Sequence, residues 1–296
     1  SPAPLGVQRV PAPGSPLQKV QVMRPEEGEK DLSTRLALTP VRLEGPNISL
    51  VTRSLNGTLP GPALGFFPGG RLRIFMENRL AKPLGPLVLN TYSRPNSTNL
   101  HTHGLHVSPL QPSDDVLTTM IQPGESWQYE YDIIEGHSPG TYWIHTHTHG
   151  AALLQTGAGT ALPLLVLDPP GFLSPQLESM EEFVMMLQAI PRSTLEAAAA
   201  KAQDHLLRFE RWNWAGPEMW LVNGAPEPVM EAKAGHWQRL RFVAAGVSSW
   251  LSLNFSACEV ALLAKDGIYI QDFPRVVPRV ILPPGGRADV VVRCPA

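Results

Sequence analysis

Gly140-Thr141-Tyr142-Trp143-Ile144-His145-Thr146-His147-Thr148-His149-Gly150 concentrates three of the nine histidines of this chain in one short run. In a β-strand, residues i and i+2 share a face, so His145 and His147 point the same way. A second run upstream, Asn99-Leu100-His101-Thr102-His103-Gly104-Leu105-His106, repeats the spacing with His101 and His103. Two such strands side by side would gather four imidazoles. Neutral imidazole suits copper or zinc, and gathering the rings without a metal would desolvate them with few partners. A His-rich surface patch accounts for one such pair but poorly for two. His106 and His149 fall outside the pairs and read as supporting groups or exposed residues. His137, in Glu135-Gly136-His137-Ser138-Pro139, reads as a turn residue; His205 and His236 carry no pattern.

Outward from these runs the chain reads as short strands. Arg71-Leu-Arg-Ile-Phe-Met and Trp127-Gln-Tyr-Glu-Tyr alternate with the period of two of a half-buried strand. The 31 prolines and 25 glycines suit many turns better than long helices. One helix is expected. Ser193-x-x-Glu196 forms a capping box after Pro191, and Leu195, Ala199, Ala202, Leu206 and Phe209 follow at helical spacing. Residues 1–33 are Pro-rich and read as a mobile or surface-hugging leader.

An internal repeat sets the domain count. Asn56-Gly57, then Gly70-Arg71-Leu72-Arg73-Ile74, is echoed by Asn223-Gly224, then Gln238-Arg239-Leu240-Arg241-Phe242. Each copy later reaches a Pro-Gly turn feeding a strand, at Pro123-Gly124 and at Pro284-Gly285. Two related β-domains in tandem explain this order, 34–170 and 171–296, divided near Asp168-Pro169-Pro170-Gly171. The first copy runs 43 residues from Pro123 to Val166, the second only 12 from Pro284 to Ala296. The second domain is therefore expected to be incomplete at its C-terminal end, short by roughly two strands.

The bulk numbers exclude several classes. A length of 296 residues fits two β-domains, and 43% apolar residues can fill their cores. A net charge of −2 without a basic stripe argues against nucleic acid. No apolar run approaches the roughly 18 residues of a membrane span. The chain begins Ser1-Pro2-Ala3-Pro4, and Asn47, Asn56, Asn96 and Asn254 head Asn-x-Ser/Thr tripeptides; both fit a secreted or periplasmic protein. Cys258 and Cys294 are too few for a disulfide scaffold, and whether they pair is left to geometry.

The segment Asn99 to Val166 resembles the first cupredoxin domain of multicopper oxidases. Asn56-Gly-Thr-Leu-Pro-Gly-Pro, Pro123-Gly-Glu-Ser and Gly140-Thr-Tyr-Trp-Ile-His-Thr-His resemble motifs of that family, as do Gln155 and Gly157 before Leu164-Leu-Val-Leu. Asn99-Leu-His-Thr-His-Gly-Leu-His-Val-Ser-Pro is similar to a bacterial-type, laccase-like subgroup. In the second domain, Leu221-Val-Asn-Gly, Asp266-Gly267 and Pro284-Gly-Gly-Arg-Ala-Asp-Val match too. The resemblance covers about residues 35–296, and the helical stretch near 193–210 departs from it. It implies an all-β fold of two tandem cupredoxin-like Greek-key sandwiches, the second incomplete, with a short helical insert.

The resemblance also implies a trinuclear copper cluster held by eight histidines in four His-x-His motifs, two of them in the first domain. His101 would then ligate the type 2 copper, and His103, His145 and His147 the type 3 pair. An acidic residue near the cluster, Asp114 or Asp115, would supply protons; a solvated loop carboxylate is an equal reading of either. Electrons would enter such an enzyme through a blue-copper thiolate in a His-Cys-His motif, and this chain has none. Three readings follow. The favoured one is an oxidase that couples one-electron oxidation of a small-molecule or metal-ion substrate to reduction of dioxygen to water. A third domain or an oligomer partner would complete its cluster. The second is a non-oxidase protein binding a mononuclear Cu or Zn through the His-x-His motifs. The third, ranked last, is a metal-free scaffold.

Overall fold

The structure, a computed structural model, describes residues 2–46, 48–82, 95–191 and 218–295. Its first part contains β1 (Gly6–Arg9), β2 (Val22–Met23), β3 (Leu32–Gly45), β4 (Ile48–Leu55), β5 (Ala63–Phe66), β6 (Arg71–Asn78), β7 (His101–His103), β8 (Ser126–Asp132), β9 (Gly140–His145), helix α1 (Ala152–Gly157) and β10 (Ala161–Val166). Two five-stranded sheets form from these. One runs β1-β3-β6-β8 with β4 against β3; the other runs β2-β5-β10-β9-β7.

Alternation explains the packing between these sheets. β6 alternates buried and half-buried positions along its whole length, as the sequence pattern demands. Leu72, Ile74 and Met76 from β6 and Tyr129 and Tyr131 from β8 face Leu64, Phe66, Tyr142, Ile144, Leu162 and Leu164 across one apolar core. β9 breaks the alternation: Gly140 through Ile144 are all buried. Tyr142 and Ile144 fill the core just described, while Trp143 packs the other way, against Met186, Val243 and Ala245. A strand covered on both faces needs no polar face.

The remainder contributes α2 (Pro175–Glu178), β11 (Glu182–Ile190), β12 (Met219–Val222), β13 (Trp237–Ala244), β14 (Leu251–Leu253), β15 (Glu259–Lys265), β16 (Ile268–Tyr269), β17 (Arg275–Val276), β18 (Val280–Leu282) and β19 (Arg287–Arg293). Seven strands join in the order β12-β11-β13-β19-β15-β16, with β17 on β15; β14 and β18 pair separately. Among the described residues, the layer facing the seven-stranded sheet has only these two strands. The helix expected from Ser193 to Phe209, and His205 within it, lie outside the described residues. Neither α1 nor α2 had an evident periodic signal.

The repeat is visible in the backbone. Asn56 and Asn223 have φ of 57° and 52°, and Gly57 and Gly224 follow with φ of 79° and 82°. This is the left-handed pair that an Asn-Gly turn supplies. After each turn the corresponding strands pair alike: β6 lies antiparallel to β8, and β13 antiparallel to β19.

The leader hugs the surface. β1 runs parallel to β3, and β2 parallel to β5. Gln8 both donates to Leu59 O and accepts from Leu59 N, at 2.9 and 2.7 Å. Further on, Leu17 N donates to Val229 O and Asn223 Nδ2 to Gln18 O. The leader thus straps the first sandwich to the strands beyond it.

The same two parts meet behind β9. Asp289 accepts from Arg239 Nη2 and Arg241 Nη1 at 2.9 and 2.8 Å, and also from Thr141 Oγ1. Asp168 accepts from both arginines and from the Tyr269 hydroxyl. At one end of β9, Gly140 lies directly on Gly267; a Cβ on Gly140 would stand 2.2 Å from the Gly267 carbonyl oxygen. Cys258 and Cys294 form a disulfide.

Candidate metal centre

β7 and β9 pair antiparallel with His101 opposite His145 and His103 opposite Trp143. This register sets the two His-x-His motifs facing each other at the end of the sheet. The ring centroids of His101 lie 5.7 Å from His103, 5.2 Å from His145 and 5.2 Å from His147. One ligand atom from each of His101, His103 and His145 falls within a common 4.8 Å. Trp143 closes the floor, with its ring 5.1 Å from His103 and 4.3 Å from His145.

The partners of each ring decide which nitrogen is free. His101 Nδ1 lies 2.7 Å from Asp114 Oδ2, and His145 Nδ1 lies 2.9 Å from Thr146 O, so each ring is held through Nδ1 and presents Nε2 as its ligating atom. His103 turns its Nδ1 toward His145 Nε2 at 3.3 Å. Two nitrogens bound to one tetrahedral metal at 2.0–2.1 Å would stand about 3.3 Å apart, so this pair already has the spacing of co-ligands. His147 Nδ1 is buried and has no hydrogen-bond partner among the described residues. A facing nitrogen pair, the Nε2 of His101 and an orphaned buried nitrogen fit a metal of imidazole preference, copper foremost.

Electrostatics favour the neutral, ligating form. Burial, with Arg287 nearby, pushes the His103 imidazole down to about 4. Burial pushes His145 down to about 3, and it also lowers His147. Arg287, at the start of β19, donates to the carbonyls of Thr141, Gly285 and Asp266, which hold its charge beside the cluster.

The two acidic candidates part ways. Asp114 Oδ1 accepts from Thr102 N and Thr102 Oγ1 while its other oxygen holds His101, a carboxylate–histidine arrangement that fixes ring orientation. Asp115 instead closes its own loop, accepting from Leu117 N, Thr118 N and Thr118 Oγ1. His106 is exposed, and its backbone N–H donates to His137 Nε2 at 3.0 Å. His137 is buried and donates from Nδ1 to Ser138 O, so it fastens the turn in which it sits. His149 is exposed, with its ring 6.0 Å from His147; His236 is exposed far along the chain. Sequence reasoning passed over Asn99, Trp143 and Arg287. The first two share the odd-numbered positions of the ligands, which was a usable signal, while Arg287 had none.

Residues 87–171, which include His101, His103, His106, His137, His145, His147 and His149, match the family model described as "Multicopper oxidase". Across those residues the chain resembles the multicopper oxidases. Laccase-2 of Thanatephorus cucumeris is 33% identical over 125 residues, which is 40% of this chain and 18% of that protein. Laccase-11 of Arabidopsis thaliana is 23% identical over 256 residues, 81% of this chain and 40% of that protein. The fold is similar to a solved multicopper oxidase from Campylobacter jejuni described as a metallo-oxidase. The TM-score is 0.72 at 23% identity, covering 96% of this chain and 55% of the other. The chain therefore spans less than half the length of the curated relatives it matches. The all-β, cupredoxin-type architecture expected from the sequence is the one observed.

Proposed function

We propose that this multicopper-oxidase chain contributes half of the ligands of a trinuclear copper cluster in an oxidase that draws single electrons from a reducing substrate. Copper bound there would supply one-electron chemistry with dioxygen as the final acceptor, reduced to water. The reading rests on one observation: the register that sets His101 against His145 makes two distant His-x-His motifs a single nitrogen cluster. His101 would hold the type 2 copper through Nε2; His103, His145 and His147 would serve the type 3 pair. Asp114 orients His101 and, as the carboxylate nearest the cluster, is the group from which a proton would be passed. His106, His149 and Asp115 take no part.

Both cysteines are spent in the disulfide, so neither offers a thiolate for electron uptake. We assign electron delivery and the other four histidines to sequence outside this chain, in a further domain or a partner subunit. The repeat, the parallel strand pairings and the punctuation at Asp168-Pro169-Pro170 support two cupredoxin-like domains, 34–170 and 171–296, behind a leader of 1–33. The disulfide fits an oxidising, secreted or periplasmic location. Among the described residues no helix is long and apolar enough to cross a membrane.

The grouping of His101, His103 and His145 within one small sphere also favours a second reading, a mononuclear Cu or Zn site. Metal stoichiometry of the natural polypeptide decides between them. The oxidase reading expects several coppers per chain, oxygen consumption with an electron donor, and loss of both in His147→Ala. One tightly held metal and no oxygen uptake would favour the mononuclear site.

A further inference from the structure

We propose that Asn99 is the positioning residue that locks the two His-x-His motifs and the Asp114 loop into one site. This rests on the copper reading above, whose failure the experiment below detects separately. Asn99 is fully buried. Its Oδ1 accepts from His147 N at 2.7 Å, and its Nδ2 donates to the carbonyls of Val116 and Thr119, both at 3.2 Å. The side chain thereby joins three segments: its own, which leads into His101 and His103; the second motif at His147; and the loop that returns Asp114 to His101.

The register explains why an amide sits here. His101 lies opposite His145, so two residues further out position 99 falls opposite 147. β7 begins at His101 and β9 ends at His145, so the regular ladder stops short of that pair. The Asn99 side-chain carbonyl takes over the hydrogen bond, holding His147 N–H where no strand pairing does. Its NH2 group, with two donors, then reaches two carbonyls of the neighbouring loop. Only an amide offers an acceptor and two donors together. An aspartate would keep the bond to His147 but face the two loop carbonyls with a negative charge. Alanine would release all three segments.

Asn78 supplies a matched control, because it is a buried amide with three bonds of the same kind. It donates to Asn96 O and Ile121 O and accepts from Leu80 N, so it reaches the chain ahead of Asn99 and beyond Thr119 but makes no bond to the His147 motif. Removing either amide should lower stability similarly. Only Asn99 should alter the metal site.

The experiment compares wild type, Asn99→Ala, Asn99→Asp and Asn78→Ala in the full chain. Three readouts are taken: melting temperature without metal, Cu(II) affinity by chelator competition, and the electron paramagnetic resonance spectrum of bound Cu(II). Amide hydrogen exchange is followed on the metal-free proteins. We expect Asn99→Ala to weaken Cu(II) binding roughly ten- to hundredfold, the range typical of groups that orient ligands, and to change the spectrum. Asn78→Ala should do neither at a comparable loss of melting temperature. Exchange should quicken at His147 and at 116–119 in Asn99→Ala, but only at 116–119 in Asn99→Asp. Should Asn99→Ala not fold, the split exchange pattern of Asn99→Asp carries the test. Unchanged affinity and spectrum in Asn99→Ala, or equal shifts in Asn78→Ala, would overturn the proposal. A wild-type chain that takes up no Cu(II) would instead overturn the copper reading, while the exchange pattern would still test the role of Asn99 as a joint.

Discussion

His103 and His145 are held neutral by burial, with folded-state pKa values near 4 and 3 against an ordinary 6.5. Above pH 6.5 the rings are neutral whether the chain is folded or not. As pH falls below 6.5 the unfolded chain binds protons that the folded chain refuses until about pH 4 to 3. Depressed folded values therefore make stability greatest above 6.5 and erode it across that window. Metal-free protein should show a urea midpoint clearly lower at pH 5 than at pH 7.5, and a midpoint unchanged between them would contradict buried neutral rings. Asp114→Asn should leave the fold intact but loosen His101, lowering copper affinity roughly tenfold or more; a binding titration with copper in excess of chelator checks it. The spacing of His101, His103, His145 and His147 was legible because strand parity maps directly onto faces. The division of labour between Asp114 and Asp115 was not, because adjacent loop carboxylates differ only in how the loop turns, which no short-range pattern encodes.

β7 and β9 show how much a short element can position. β7 is three residues long, yet its register with β9 decides which histidine meets which. Its strand character was readable from His-x-His alone, and that of β6 and β8 from alternation. α1 was not, since its six residues lack caps and a periodic face. The leader was expected to be mobile or surface-hugging, and its pairings were hidden because Pro-rich sequence signals extended backbone without naming a partner. At the far end, the disulfide ties the residue before β15 to the residue after β19, strands already paired. Closing 36 residues of chain, it should contribute about 4 kcal/mol on the chain-entropy estimate. Reduction with a strong thiol should lower the thermal midpoint, and Cys258→Ala with Cys294→Ala should reproduce that lower midpoint without thiol. Equal midpoints before and after reduction would show that strand pairing alone suffices.

Across the whole molecule, the seven-stranded sheet acts as the backing plate of the histidine-bearing strand β9. Asp289 from β19 meets Arg239 and Arg241 from β13 and Thr141 from β9 in a buried cluster. Asp289→Ala would leave two buried guanidinium groups with, among the described residues, Asp168 and Glu182 as carboxylate partners, so it should destabilise by about 3–5 kcal/mol. Chemical denaturation measures this; a loss under about 1 kcal/mol would mean that water enters the cluster freely. The tandem repeat suggests two related halves, and its two Asn-Gly turns share the same left-handed backbone at Asn56 and Asn223. How the halves dock was not legible, because nothing in the alternation of Arg239 and Arg241 with Leu240 and Phe242 marks both arginines as buried.

Gly140 and Gly267 touch main chain to main chain, with no room between them for a single carbon. For protein engineering, the two halves are therefore not free modules. A chimera joining the front of this chain to the rear of a relative would have to inherit both glycines together, since a side chain at either one would prise the backing sheet off the histidine-bearing strand. Recombination libraries made at Asp168-Pro169-Pro170 should accordingly yield folded, copper-binding members chiefly among parents that share the pair.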